Sequence, residues 1–378
     1  MPLFCLLTTA GCDSSANPEE LAPARLDVRT VPQVDLKPDD AIVAADLTEG
    51  DGQTLHVVWN AAVQETTGTL PRHASLYVRS EDGGNTWSRL TVIDRSFGAP
   101  QIVTSEKQLH VVTGSRLRHL MSDDGGKSWS DLGSLLPKAI KGNVACDLTN
   151  IDASSRALVC LVHPRTPYDR NERGSEHRQK VLFGHLPARG KAKLLTIATF
   201  PSSVSGPPPP RLVVADDVLH VLVGVNEDQW QQVASDGNVP ALKVVGRMYT
   251  FRSDDGRTWS NAVAFSKADG QLEPIEAVEG LAVKGRLYAF FSAHGVFFTR
   301  STNGEEWSVA RQVSPYRTGI APGGPDSSLL SAAVSPEGKG WIAWIDERYR
   351  RSTGRWWNPL GGLPWSDDTQ MLRNLSLI

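Results

Sequence analysis

The sequence predicts an all-β fold, a six-bladed β-propeller, and three observations carry that prediction. A short box of the form Ser-x-Asp, followed by Gly, Thr or Ser, and Trp, occurs three times intact and once in degenerate form. A longer pattern, two apolar runs separated by a polar turn, occurs six times at the spacing of one four-stranded blade per repeat. The composition agrees: 33 Gly, 24 Pro and 11 Trp stand beside only 4 Met in 378 residues. That balance belongs to many short strands and tight turns rather than to helices.

Taken from the N-terminus, residues 1–12 read MPLFCLLTTAGC, a short apolar stretch leading into small residues and a cysteine. This resembles the end of a bacterial lipoprotein signal, where cleavage precedes a cysteine that is then acylated, and it implies lipidation at Cys12. The expected location is the bacterial cell envelope after export, in the periplasm or at the surface, with the membrane reached through the lipid anchor only. Residues 13–25 read as a polar, proline-containing tether, and residues 26–378 as the propeller. LDVRTVPQVDL (26–36) is the strand expected to complete the last blade and close the ring.

Six units then tile the chain. Their second apolar runs are TLHVVWN (54–60), QLHVVTG (108–114), ALVCLVH (157–163), VLHVLVG (218–224), RLYAFFS (286–292) and GWIAWID (340–346). His56, His110 and His220 share one repeated strand position, which Tyr288 fills in the fifth unit, so they read as repeat residues rather than metal ligands. The boxes SEDGGNTW (80–87), SDDGGKSW (122–129), SDDGRTW (253–259) and STNGEEW (301–307) each follow a third strand. In such a hairpin turn the Asp carboxylate accepts backbone N–H groups, Gly supplies positive φ, and Trp packs against the neighbouring sheet. The third unit has no box, and its outer strands are expected in VLFGHLP and AKLLTIATF. The sixth ends with QMLRNLSLI as a third strand.

The charge balance of 39 Lys+Arg against 42 Asp+Glu excludes a basic nucleic-acid footprint, and no run of about 18 apolar residues suggests a membrane-spanning helix. No CxxC, Cys/His cluster, Gly-rich phosphate loop or EF-hand pattern is present, so neither a cofactor nor a bound metal is expected. Cys146 and Cys160 lie in the apolar runs NVACDL and ALVCLV. If these pair as a hairpin, the two are cross-strand neighbours able to form a disulfide in an oxidising compartment, or they remain buried, reduced small hydrophobes.

The boxes, their position after third strands and the six units together resemble the Asp-box (BNR) repeats of the sialidase superfamily. In that family the boxes lie away from the active site, which implies structural roles for Asp82, Asp124 and Asp255. The resemblance also implies a substrate carboxylate held by three arginines, a tyrosine nucleophile activated by a glutamate, and an aspartate acid/base. Arg29, in Arg-Thr-Val-Pro, matches the first arginine, and Glu276, in EAVEGLAVKG, matches the glutamate. Asp326, in Pro-Asp-Ser-Ser-Leu, stands where the tyrosine belongs, and the strand expected to end in a second arginine ends AFFSAH. Asp346 matches the carboxylate that steadies the first arginine.

Candidate chemistry therefore lies on the face where the first strands of the blades begin and the second strands end. Arg211 and Glu276 enter first strands there, while Asn60, His163 and Asn226 leave second strands. Long loops such as NEDQWQQVASDGN and the run holding Arg348 and Trp356 collect on the same face. Glu276 and Asp326 are the candidate catalytic carboxylates, unless they cap strand starts or pair with loop arginines. Arg29, Arg211, Asp346, Arg348 and Trp356 are the candidate substrate-binding residues. Two functions remain open: a sialidase-like glycoside hydrolase, or a monomeric, non-catalytic propeller that binds a glycan or a surface protein or serves as an assembly factor.

Overall fold

The computed structural model describes residues 4–5, 28–29, 42–49, 54–63, 72–136 (except 84, 97, 106, 107 and 115), 143–152, 155–163, 178–186, 193–201, 208–231, 241–265, 272–314 (except 294), 330–334, 340–344 and 371–375. Among the described residues there is no helix, and the fold is the all-β propeller class. A two-residue ribbon pairs β1 (Phe4–Cys5) with β2 (Val28–Arg29). Sheet 1 holds β3 (Ile42–Glu49), β4 (Leu55–Val63), β5 (Arg72–Ser80) and β6 (Thr91–Asp94), and sheet 2 holds β7 (Gln101–Ser105), β8 (Gln108–Thr113), β9 (Arg118–Ser122) and β10 (Ser130–Ser134). Sheet 3 follows with β11 (Asn143–Asn150), β12 (Arg156–His163), β13 (Arg178–Leu186) and β14 (Leu195–Pro201). Sheet 4 has β15 (Arg211–Ala215), β16 (Val218–Gln231), β17 (Ala241–Ser253) and β18 (Val263–Phe265), and sheet 5 has β19 (Ala277–Val283), β20 (Arg286–Ser292), β21 (Val296–Ser301) and β22 (Arg311–Ser314). Three strands describe sheet 6: β23 (Leu330–Val334), β24 (Gly340–Trp344) and β25 (Met371–Leu375).

Each sheet is an antiparallel meander in chain order, and the first strands of successive sheets lie side by side from β3 through β7, β11, β15 and β19 to β23. The cores lie between sheets. Val58 and Tyr77 of sheet 1 pack with Ile102 and Val111 of sheet 2, and Val159 and Phe183 of sheet 3 pack with Leu212 and Val221 of sheet 4. Met248 of sheet 4 packs with Phe291 of sheet 5, and Tyr288 of sheet 5 reaches Leu330 of sheet 6. A sheet that is apolar on both faces must be covered on both sides, and stacking the units in series does this.

The repeated turn joins sheet to sheet. The Asp124 carboxylate accepts the backbone N–H groups of Lys127 and Ser128 at 2.9 Å each and the hydroxyls of Ser122 and Ser128. Asp82 and Asp255 make the same kind of bonds, and the side-chain oxygen of Asn303 replaces the carboxylate in the fourth copy. The turn tryptophans then dock on the preceding sheet: Trp129 on Tyr77 at 5.0 Å, Trp259 on Phe183 at 4.7 Å and Trp307 on Phe265 at 4.2 Å between ring centroids. Gly126 (φ +85°) is needed twice over, because a Cβ there would lie 1.9 Å from the Tyr77 hydroxyl oxygen. The repeated histidines take part in the same joints. His56 Nδ1 bonds the Tyr77 hydroxyl at 2.8 Å, and His220 lies against Gly304 of the next sheet's turn.

Val28–Arg29, within the segment expected to complete the last blade, pairs with Phe4–Cys5, and the rest of 26–36 lies outside the described residues. In one place the chain departs from its sequence pattern. The segment after Asn226, expected as a loop, continues as strand: β16 runs to Gln231, and pairing with β17 extends through Gln231↔Ala241. Outer strands of sheet 3 form where VLFGHLP and AKLLTIATF predict them. Cys146 and Cys160 are directly opposed on β11 and β12, with Cα atoms 4.1 Å apart, and are joined as a disulfide. That spacing is the close approach of a non-hydrogen-bonded antiparallel pair.

Candidate functional site

The first strand of each sheet pairs within its sheet on one side only, so its other edge carries N–H and C=O groups that need partners. Side chains of neighbouring first strands supply them. Asp147 on β11 accepts the Leu212 N–H of β15 at 2.8 Å, and the Thr149 hydroxyl donates to the Leu212 carbonyl at 3.4 Å. Arg211 Nε, at the start of β15, donates to the Val278 carbonyl of β19 at 3.2 Å. Asn150 Nδ2 donates to the Thr104 carbonyl of β7. Polar side chains in otherwise apolar strands thus hold sheets 2 to 5 edge to edge.

These bonds bring three charges together. Arg211 Nη1 lies 3.3 Å from Asp147 Oδ1, and its Nη2 lies 3.0 Å from Glu279 Oε2 of β19. The three side chains are 12–18% exposed, enough to face solvent and too little to be fully hydrated. Burial raises the Glu279 carboxyl from its ordinary 4.5 to about 7; Arg211 pulls it down, Asp147 pushes it up, and burial prevails. The Asp147 carboxylate accepts from the Leu212 N–H and from Arg211 Nη1. The result is two carboxyl groups on one guanidinium, with Glu279 retaining its proton up to neutral pH.

Of the sequence-predicted residues, Arg211 falls within this cluster. Its Nε, Nη1 and Nη2 are all engaged by the protein itself, not turned outward as a carboxylate clamp. Glu276 lies just before β19, half-buried, where its carboxylate accepts the Ser292 hydroxyl at 3.2 Å and its N–H donates to the Ser292 carbonyl at 2.8 Å. The backbone of Arg29 lies in the β1–β2 ribbon. Cys12, Asp326, Asp346, Arg348 and Trp356 lie outside the described residues. The structure therefore relates Arg211 and Glu276 to the same pair of first strands and leaves the other assignments as sequence expectations.

Asn60 and Asn226, expected to leave second strands on the candidate face, lie within β4 and β16 and are fully buried latches. Asn60 Nδ2 donates to the Ser96 carbonyl at 2.9 Å in the link to sheet 2. Asn226 clasps Ile275 in the link to sheet 5, donating to its carbonyl at 3.0 Å and accepting its N–H at 2.7 Å. Asp147 and Glu279 were not singled out in the sequence. The available signal was an acid inside the apolar first run of a unit, in NVACDLTN and AVEGLAV.

A second polar cluster joins sheets 2 and 3: His110 Nδ1 and His119 Nε2 are 2.9 Å apart, and Arg156 Nη1 meets His110 Nε2. Burial and the Arg156 charge lower the pKa values of His110 and His119 to about 3 and about 4. Both imidazoles are neutral and lie inside the stack. No group of three or more candidate metal ligands occurs among the described residues.

No known family profile matches the chain, and no curated protein does. Solved structures do. The chain is similar to the α-L-arabinofuranosidase Arb93A from Fusarium graminearum, in complex with an iminosugar inhibitor, at 14% identity and a TM-score of 0.53, covering 90% of this chain and 94% of that one. It is also similar to an α-L-arabinanase of Penicillium chrysogenum, complexed with arabinobiose, at 12% identity and a TM-score of 0.50, covering 82% and 89%. At this identity the likeness is one of fold, a propeller shared with glycoside hydrolases.

Proposed function

We propose that the protein is a glycan-acting propeller whose working site is the Asp147–Arg211–Glu279 cluster on the first strands of sheets 3, 4 and 5. One observation carries this reading: two carboxyl groups share a guanidinium while burial keeps Glu279 protonated to about pH 7. Glycoside hydrolysis uses such a division of labour between an acid and a carboxylate. Glu279 donates its proton to the leaving oxygen as the glycosidic C–O bond breaks. Water adds to the anomeric carbon and passes a proton to Asp147. The sialidase resemblance and the fold shared with glycoside hydrolases support the class of substrate.

The non-catalytic reading has its own support, since Asp147 and Arg211 also bond the backbone of the neighbouring first strand. On that reading the cluster is a structural staple within a glycan- or protein-binding propeller. The experiment is a screen of the full chain against a panel of neutral and sialylated oligosaccharides, following sugar release, with Asp147→Asn as control. Release that falls at least about 100-fold in the variant supports the acid–base role. Release unaffected by the variant overturns it.

The Ala10-Gly11-Cys12 junction supports export and anchoring to the cell envelope through an acylated Cys12. Mass analysis of the N-terminal peptide tests this. A diacylglyceryl addition on Cys12, absent after Cys12→Ser, is expected, and an unmodified Cys12 in membrane-free protein contradicts it.

A further inference from the structure

We infer that Arg211 is an internal counter-ion rather than a clamp for a substrate carboxylate, and that the site therefore selects uncharged glycans over anionic ones. This rests on the proposed glycan-acting role and specifies its substrate class.

The guanidinium has one planar set of donors, and its geometry decides what it can bind. Nε is directed at the Val278 carbonyl at 3.2 Å, Nη1 at Asp147 at 3.3 Å and Nη2 at Glu279 at 3.0 Å. Each of its three nitrogens is thus committed to an acceptor of the protein itself, so an incoming carboxylate competes with these contacts on either edge of the fork. Breaking the Asp147 contact also loosens an acid that holds the Leu212 N–H. A ligand carboxylate therefore competes with partners already fixed on a strand.

The surrounding charge has the same effect. Among the described residues of β11, β15 and β19 and the positions leading into them, the carboxylates of Asp147 and Glu276, joined above about pH 7 by that of Glu279, are set against the positive charge of Arg211. An anionic sugar brought to this cluster meets like charge in a poorly hydrated setting, where repulsion is weakly screened. A neutral sugar meets acceptors for its hydroxyl groups and no such penalty. The arginine that the sequence offers for carboxylate recognition is thus neutralised by the fold.

Isothermal titration of the full chain with arabinobiose, lactose and cellobiose, beside 3′- and 6′-sialyllactose, tests this. The expected result is binding of at least one neutral sugar, with each sialylated sugar at least ten-fold weaker than the best neutral one. Sialylated sugars binding as tightly as the neutral ones, or tighter, would overturn the inference while leaving the glycan-acting role standing. Absence of binding by any sugar overturns both. At about pH 8, where the Glu279 carboxyl is ionised, Glu279→Gln keeps the side-chain shape and removes a negative charge; the neutral-to-sialylated ratio measured there is expected to shrink at least three-fold, and an unchanged ratio also counts against the inference.

Discussion

The Glu279 carboxylate is a net cost to the fold even though it faces Arg211, and Glu279→Gln should expose that cost. Its nearest charges are Arg211, 3.0 Å away, and Asp147 on the same guanidinium. The folded state holds the Glu279 proton up to about pH 7, whereas an unfolded chain releases it near 4.5. Between those values the folded protein binds more protons, so this residue's contribution falls as pH rises, by at most about 3 kcal/mol once pH passes 7. The penalty is absent below the unfolded value. Glutamine mimics the protonated form, so Glu279→Gln should be up to about 3 kcal/mol more stable than the parent near pH 8 and about equal to it near pH 4.5. Urea-unfolding midpoints of both proteins across that range measure the difference. A variant less stable than the parent at about pH 8, or a difference that does not change with pH, would refute the assignment of burial as the dominant influence.

Other perturbations probe the scaffold. Gly126→Ala combines a positive φ with a clash against Tyr77, and should cost about 2–4 kcal/mol in chemical denaturation; a cost near zero would mean that the turn does not press on sheet 1. Reducing the Cys146–Cys160 disulfide, which closes a 14-residue separation, should lower stability by about 3 kcal/mol. Because Asp147 adjoins Cys146 on β11, reduction should also lower any glycan turnover, and unchanged unfolding with and without reductant would contradict this. His56, His110, His119 and His220 have pKa values lowered to about 3–4 by burial and nearby arginines. The unfolded chain therefore takes up their protons first as pH falls below 6.5, and stability should decline from there toward about pH 4, outweighing the opposite trend of Glu279. A flat acid limb in unfolding midpoints would show that these imidazoles are more exposed than the structure has them.

Much of the scaffold can be read from the chain because its units repeat. LHV segments, two-residue turns such as Asp216-Asp217, and boxes ending in Trp129, Trp259 and Trp307 each depend on local chemistry, and the structure uses them as that chemistry requires. What joins one sheet to the next is harder to read. Asp147 and Glu279 resemble ordinary strand residues, and only the placement of β11, β15 and β19 brings them onto Arg211. Arg211 itself is legible as a charge entering a first strand, but its partners are not, since a guanidinium suits a substrate carboxylate and an internal one equally well. Asn60 and Asn226 mislead for a related reason. A polar residue at the end of an apolar run looks poised for a ligand until the neighbouring sheet's chain packs over it.

The most direct test of the account is the turnover of a neutral glycan that the chain binds, measured side by side for the parent protein and Glu279→Gln at about pH 6, where the parent carboxyl is mostly protonated and glutamine has no proton to give. The account predicts that binding survives while turnover falls by about 100- to 10,000-fold. Equal turnover in the two proteins would contradict it and would move the chemistry away from the first strands of sheets 3 to 5.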